Sequence, residues 1–223
     1  MSVGTVSVES VKSHPLVKAL ITAANQYLGE IGYTEHGFRH CTSVSTTARD
    51  ILIKLGYKPP YPELAAIAGY LHDIGNVVNR IDHGQSSAVM ALEILESMKL
   101  PTEYIADIIS AIGNHEEDTG VAVNAVCAAL IIGDKTDVHR KRVRKLHDLK
   151  GDIHDRVNYA VVESGIKVDK RKKNIVLHLN IDTKISQVME YFEIFLSRML
   201  MCQKAAEYLG YRFSLVINKT KLL

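Results

Sequence analysis

A histidine and an aspartate stand side by side at the end of an apolar run. Leu64 to Leu71 carries almost nothing polar, His72-Asp73 follows, and Ile74-Gly75-Asn76 reads as a turn behind them. His40 lies upstream, and His83, His115 and Asp134 lie downstream. Neutral imidazole nitrogens and carboxylate oxygens are the donors that hold first-row divalent metals, and four to six of them complete one or two such sites. Metal-assisted hydrolysis is the chemistry such a set would perform. An ion lowers the pKa of its bound water and neutralises charge on an ester's phosphate oxygens.

The chain must first supply elements able to bring these residues together. It has 223 residues, 47% hydrophobic and 23% charged, enough for one large domain or one domain with a small appendage. The composition excludes general disorder. A formal net charge of +2 gives no global case for a nucleic-acid or membrane partner. Three widely spaced cysteines, Cys41, Cys127 and Cys202, are expected as reduced thiols of a cytoplasmic protein. The opening residues lack the pattern of a signal peptide, and no apolar run approaches the ~20 residues of a membrane span.

From about Val11 to Asp148 the apolar spacing is helical. His14-Pro15 opens one helix, with proline suited to a first turn. A second is expected over Phe38 to Leu55, stopped by Gly56, and a third from Pro62 to His72. Further helices are expected over Gln85 to Met98, from a cap at Thr102 toward His115, and from about Asn124 through Asp134. Near residue 166 the composition shifts. Lys167 to Lys173 reads as a linker or exposed turn, Asn174 to Asp182 as a strand, Ser186 to Leu209 as a strongly apolar helix, and Tyr211 to Asn218 as a second strand. The expected fold is therefore mainly α: a helical bundle over residues 1–165, and a β-α-β extension over 166–223. Two strands are hard to stabilise alone. The extension should dock on the bundle or lie at a homodimer interface.

With those residues in that order, the chain resembles the HD-domain superfamily of metal-dependent phosphohydrolases. The resemblance spans roughly residues 14–150. His40, His72-Asp73 and Asp134 match the core His, His-Asp, Asp pattern, and His83 and His115 match two further histidines found in many members. Leu71 to Gly75, His83-Gly84 and Ile112 to Glu116 resemble the family's surrounding phrases. The resemblance implies a helical domain with a mono- or binuclear metal site, two divalent transition-metal ions being the expected number, and imidazole-rich ligands with carboxylates suit iron, manganese, cobalt, nickel or zinc better than calcium. It places Asp73 between the metals, with His40, His72 and Asp134 completing one site and His83 and His115 the other. It also implies hydrolysis of a phosphate mono- or diester, with a nucleotide-derived small molecule as substrate.

Asp73, Asn76 and Lys135 are the candidates for catalytic work beyond ligation. Asn76 stands where it could donate to a phosphate oxygen or simply form the turn. Lys135 follows Asp134, and if the helix continues through His139 to Lys145, Arg142 shares its face. Arg39 and Arg80 are weaker phosphate candidates, and Glu116 and His154 are open as general acids. His36 reads as a loop residue beside Gly37. The second pair, His154-Asp155, falls outside the ordered set and reads as a cap or surface pair. A regulatory module holding a structural metal is the competing function, and a diiron oxygenase a more distant third.

Overall fold

Every residue from Pro62 to Leu71 is buried in the computed structural model, which describes residues 6–117, 119–144 and 151–223. A helix apolar on all sides must lie at the centre of its domain. In chain order the helices are α1 (Val8–Ser13), α2 (Pro15–Glu30), α3 (Phe38–Leu55), α4 (Tyr61–Leu71), α5 (His83–Ser97), α6 (Thr102–Gly113), α7 (Ala125–Lys135), α8 (Ile153–Ala160) and α9 (Val188–Tyr208). The strands are β1 (Val161–Asp169), β2 (Asn174–Ile181), β3 (Arg212–Ile217) and β4 (Thr220–Lys221).

The protein is mainly α, with a small sheet near its C-terminal end. Helix α7, buried from Val126 to Lys135, packs beside α4, and α3 and α6 flank both. Helix α5 lies on α6, while α2 covers the short 3-10 turn Ile74–Val77 that follows the His-Asp pair. Gly69 and Gly133 permit the tight centre. A Cβ on Gly69 would lie 2.8 Å from the Ser45 Cα, and one on Gly133 would lie 3.1 Å from the Val44 carbonyl oxygen. The bundle core and the sheet face beneath α9 merge into one apolar cluster.

The sheet has the order β1-β2-β3-β4. β1 pairs antiparallel with β2, β2 runs parallel to β3 through α9, and β4 turns back on β3. Helix α9 packs on β3 and also on α7, so it joins the sheet to the bundle. Gln187 and Glu190 close a capping box at its start, and Arg156 on α8 grips the Glu190 carboxylate.

Several expectations change. The stretch expected to be a linker from Lys167 is the second half of β1 and its turn into β2, so residue 166 falls inside a strand. Among the described residues four strands replace the expected two. Thr102 is the first helical residue rather than a side-chain cap, and Pro101 precedes it. Helix α7 stops at Lys135 instead of continuing through His139. The Thr136 hydroxyl bonds back to the Ile132 carbonyl, and a 3-10 turn, Arg140–Arg142, follows. Lys145, and the end of the helical periodicity at Asp148, lie outside the described residues.

Candidate metal centre

Five helix ends converge on one buried point. His40 projects from the first turn of α3, His72 caps the C-terminus of α4 and Asp73 follows it. His83 opens α5, His115 lies just past α6, and Asp134 sits in the last turn of α7. Helix α4 is too apolar to be anywhere but the centre, which fixes the His-Asp pair in the interior.

The ligand atoms face one another. His40 Nε2 lies 3.2 Å from His72 Nε2, 3.4 Å from Asp73 Oδ2 and 3.4 Å from Asp134 Oδ1. His72 Nε2 lies 3.3 Å from the same Asp73 oxygen. The other Asp73 oxygen, Oδ1, points to His83 Nε2 at 3.3 Å. One carboxylate thus presents one oxygen to each side. Among the described residues, His40, His72 and Asp134 bring ligand atoms within 4.8 Å of one another, and so do His72, Asp73 and His115. His83 joins through Asp73 and a ring contact with His115 at 5.0 Å. His72 therefore stands as close to the second group as to the first, a sharing the sequence did not suggest.

The outward nitrogens explain the orientation. Nδ1 of His72, His83 and His115 donates to the carbonyls of Gly69, Arg80 and Ile112, at 2.9, 3.0 and 2.6 Å. Each bond fixes the tautomer and leaves the Nε2 lone pair facing inward, as a ligating histidine requires. His40 differs, because its Nδ1 donates to the Asp137 carboxylate at 2.7 Å. Asp137 is held in turn by a fork from Arg39, at 3.1 and 2.8 Å, and by Ser43. The sequence reading passed over Asp137. Its signal is modest: a carboxylate three residues beyond Asp134, at a helix end.

The site fits a cation on two physical grounds. Asp73 Oδ2 and His115 Nε2 are buried without a hydrogen-bond partner, a costly state that a bound ion relieves. Charge gives the second ground. Burial opposes a proton on His72, yet Asp73 and Asp134 overcome it and hold its pKa up at about 10. Burial also opposes ionisation of Asp73, but the His72 charge and the nearby His40 and His83 imidazoles hold its carboxyl well below the usual range. His115 is driven the other way, first by burial and then by His72 and Lys135, so it stays neutral. The carboxylates demand positive charge, and a divalent ion would supply it in place of the His72 proton.

A pH dependence follows for the metal-free protein. A folded-state pKa raised above the unfolded value contributes stability that is complete below the unfolded value and lost as pH rises through the folded one. For His72 that window runs from 6.5 to about 10. His40, also raised, acts in the same direction. Chelator-treated protein should therefore melt at a lower temperature at the alkaline end of this window than at its start. Metal-loaded protein should show a weaker trend. A rise in melting temperature without metal would contradict the assignment.

Other predicted residues fall into place around this core. Both bonds from Asn76 Nδ2 reach Asp73, at 2.9 Å to its carbonyl and 2.9 Å to Oδ1, and Arg80 donates to the Asn76 oxygen. Asn76 thus orients the carboxylate and forms the turn. Lys135 is buried, with Nζ 2.7 Å from Asp134 Oδ2. It lines a cleft with Arg80, His83, Glu116 and Glu117. Glu116 bonds the Gly84 amide and lies 2.9 Å from His83 Nδ1, which makes it a support for His83. Arg142 does not share a helical face with Lys135; its Nη1 donates to the Asp137 carbonyl. His36 is a loop residue as expected, but it is buried, 5.3 Å ring to ring from His40. His154 opens α8 behind its Asp152 cap and lines a cavity with His36.

Gly75 explains the phrase that follows the His-Asp pair. A Cβ there would lie 2.3 Å from the His83 carbonyl oxygen and 2.4 Å from the Ser87 amide nitrogen, both rigid backbone. The Gly75 amide itself donates to the Ser87 hydroxyl at 2.7 Å. Gly75→Ala must push α5, and His83 with it, away from Asp73. A loss of about 1–3 kcal/mol of stability is expected from such overpacking, read by urea unfolding of the metal-free protein. An unchanged midpoint would contradict the packing described.

The family description "HD domain" matches residues 37–158, more than half of the chain and all six clustered residues. The chain belongs to the HD-domain family. A curated relative, the uncharacterized protein MJ1020 of Methanocaldococcus jannaschii, is 26% identical over 190 residues, covering 73% of this chain and 71% of its own length. A crystal structure of a predicted HD superfamily hydrolase from an uncultured Thermotogales bacterium is similar at 22% identity. It has a TM-score of 0.43 and covers 59% of this chain and 73% of that one. The family assignment rests on the matched residues, not on that structural likeness. No helix among the described residues is long and apolar enough to cross a membrane.

Proposed function

We propose that this chain is a metal-dependent phosphohydrolase acting on a phosphate mono- or diester of a small, nucleotide-derived molecule. The observation that carries the reading is the two-sided presentation of Asp73, with Oδ2 toward His40, His72 and Asp134 and Oδ1 toward His83. A structural metal needs one closed shell of ligands and gains nothing from a second set beside it. Bound at these residues, divalent transition metals would acidify water and neutralise phosphate charge.

The chain's own groups do the remaining work. Asn76 holds Asp73 in place, and Asp137 and the three carbonyls hold the imidazoles with their lone pairs inward. Lys135 and Arg80 line the cleft over the cluster, where cations can stabilise charge that grows on nonbridging oxygens. Helix α4 and the turn behind it exclude water from the far side.

The test is metal-dependent phosphate release. Chelator-stripped protein is reloaded separately with manganese, iron, cobalt, nickel or zinc, then offered p-nitrophenyl phosphate, bis(p-nitrophenyl) phosphate and a nucleotide panel. Turnover that requires a metal and is lost in His72→Ala supports the reading. Tight metal binding without hydrolysis of any ester would contradict it and favour the regulatory module.

A further inference from the structure

A cavity of about 310 Å³ lies beside the cluster, and three guanidinium groups from distant parts of the chain line it: Arg80, Arg142 and Arg198. It adjoins the metal candidate, because its wall includes His36, whose ring is 5.3 Å from that of His40. Arg80 reaches to 3.3 Å from His83 Nε2.

These cations are only partly spent on the protein. Arg142 is buried, with Nη1 on the Asp137 carbonyl and Nε left without a partner among the described residues. Burying a charged group with an unused donor is costly unless something else satisfies it. Arg198 uses Nε on Glu117 at 2.7 Å, and no bond from its terminal nitrogens to a described residue accompanies it. Aromatic rings hold two of the groups: Tyr33 lies 5.3 Å from the Arg80 guanidinium, and Phe195 lies 4.7 Å from that of Arg198. Two carboxylates also line the cavity. Asp152 spends an oxygen on the α8 amides, and Asp155 engages other protein groups. Among the side chains that line the cavity three guanidiniums face two carboxylates, and a planar donor fork suits a phosphate.

We infer that this cavity is an anion subsite that takes a second phosphate group of the substrate, with Arg198 and Arg142 as its specificity-determining contacts. The inference rests on the phosphohydrolase reading, in which the first phosphate meets the His/Asp cluster. Arg198 and Phe195 come from α9, beyond the residues 37–158 matched to the HD domain. The C-terminal unit thus supplies part of the selectivity, while the family's residues supply the metal candidate. Backbone pairing holds the opposite wall, since the Glu35 amide donates to the Arg142 carbonyl at 2.7 Å and Arg144 grips the carbonyls of Tyr33 and Asn25.

The test measures competitive inhibition of p-nitrophenyl phosphate hydrolysis by the metal-loaded full chain, with free metal in excess. The probes are adenosine 5′-monophosphate, adenosine 5′-diphosphate and adenosine 3′,5′-bisphosphate. At least one two-phosphate probe should bind about tenfold tighter than the monophosphate, the size of one charged hydrogen bond. Arg198→Met should erase that advantage. Glu117→Gln breaks the same ion pair but keeps the guanidinium, and it should retain the advantage. Arg198→Lys should keep part of it, which tests the idea even if the methionine variant does not fold. The inference is overturned if neither two-phosphate probe outbinds the monophosphate, if Arg198→Met weakens all three equally, or if Glu117→Gln mimics Arg198→Met. Failure of the underlying reading looks different: no ester is hydrolysed with any metal, and the subsite falls with it.

Discussion

Asp73→Ala is expected to abolish metal binding and hydrolysis together and to leave a largely folded helical protein. Asp73 offers a separate oxygen to each side of the cluster, and its Oδ2 is buried without a hydrogen bond among the described residues. Removing it takes a ligand from each side. His72 also loses the neighbour that contributes most to its raised proton affinity. The fold should survive because α4 and α7 are packed by apolar residues on every side, and Asp73 lies at the end of α4, not within it. Elemental analysis, phosphate release and far-UV circular dichroism on the same preparation check all three parts. Full activity in this variant would defeat the assigned site, and wholesale unfolding would show that the carboxylate is a structural keystone instead.

Asp137→Asn should weaken metal binding by roughly 10–100-fold, the usual cost of losing a partner that orients a ligating histidine. The carboxylate takes the His40 Nδ1 proton at 2.7 Å and is itself clamped by Arg39. Its acid is held far below the usual range despite burial, chiefly by the bond to His40 and the His40 charge, with Arg142 and Arg39 adding to them. An asparagine keeps the shape but not the charge. The variant should regain most of its activity when metal is supplied in excess, with KM for the ester nearly unchanged. A defect that excess metal does not relieve would mean that Asp137 acts on the reaction itself.

The bundle was legible because its helices carry strong apolar periodicity and clear stops. Gly56 ends α3, Pro15 starts α2, and the Asn124 side chain caps α7 by accepting the Cys127 amide. The ordered His and Asp residues were legible for a related reason. Each lies at or near a helix end, and helices packed at one centre bring such ends together. Strand β1 was hidden because it lies at the sheet edge with most residues exposed or half-exposed. A register shift between Val161 and Glu163 also disrupts its alternation. Asp137 was passed over and Arg142 misplaced for one shared cause. No glycine or proline marks the end of α7, and the break comes from Thr136 bonding back to Ile132, a local competition that composition does not reveal. Arg198 could not be found at all from spacing, since only the packing of α9 on α7 brings it to the cavity.

The most direct test of the central claim is the metal content of the chain, measured by elemental analysis on protein purified without chelators or a metal-affinity column. About two transition-metal ions per chain are expected, as for a two-metal phosphohydrolase. Their loss on chelation should be reversible. One tightly held ion would put the His83 and His115 side in error, and no binding even after metals are added back would contradict the account.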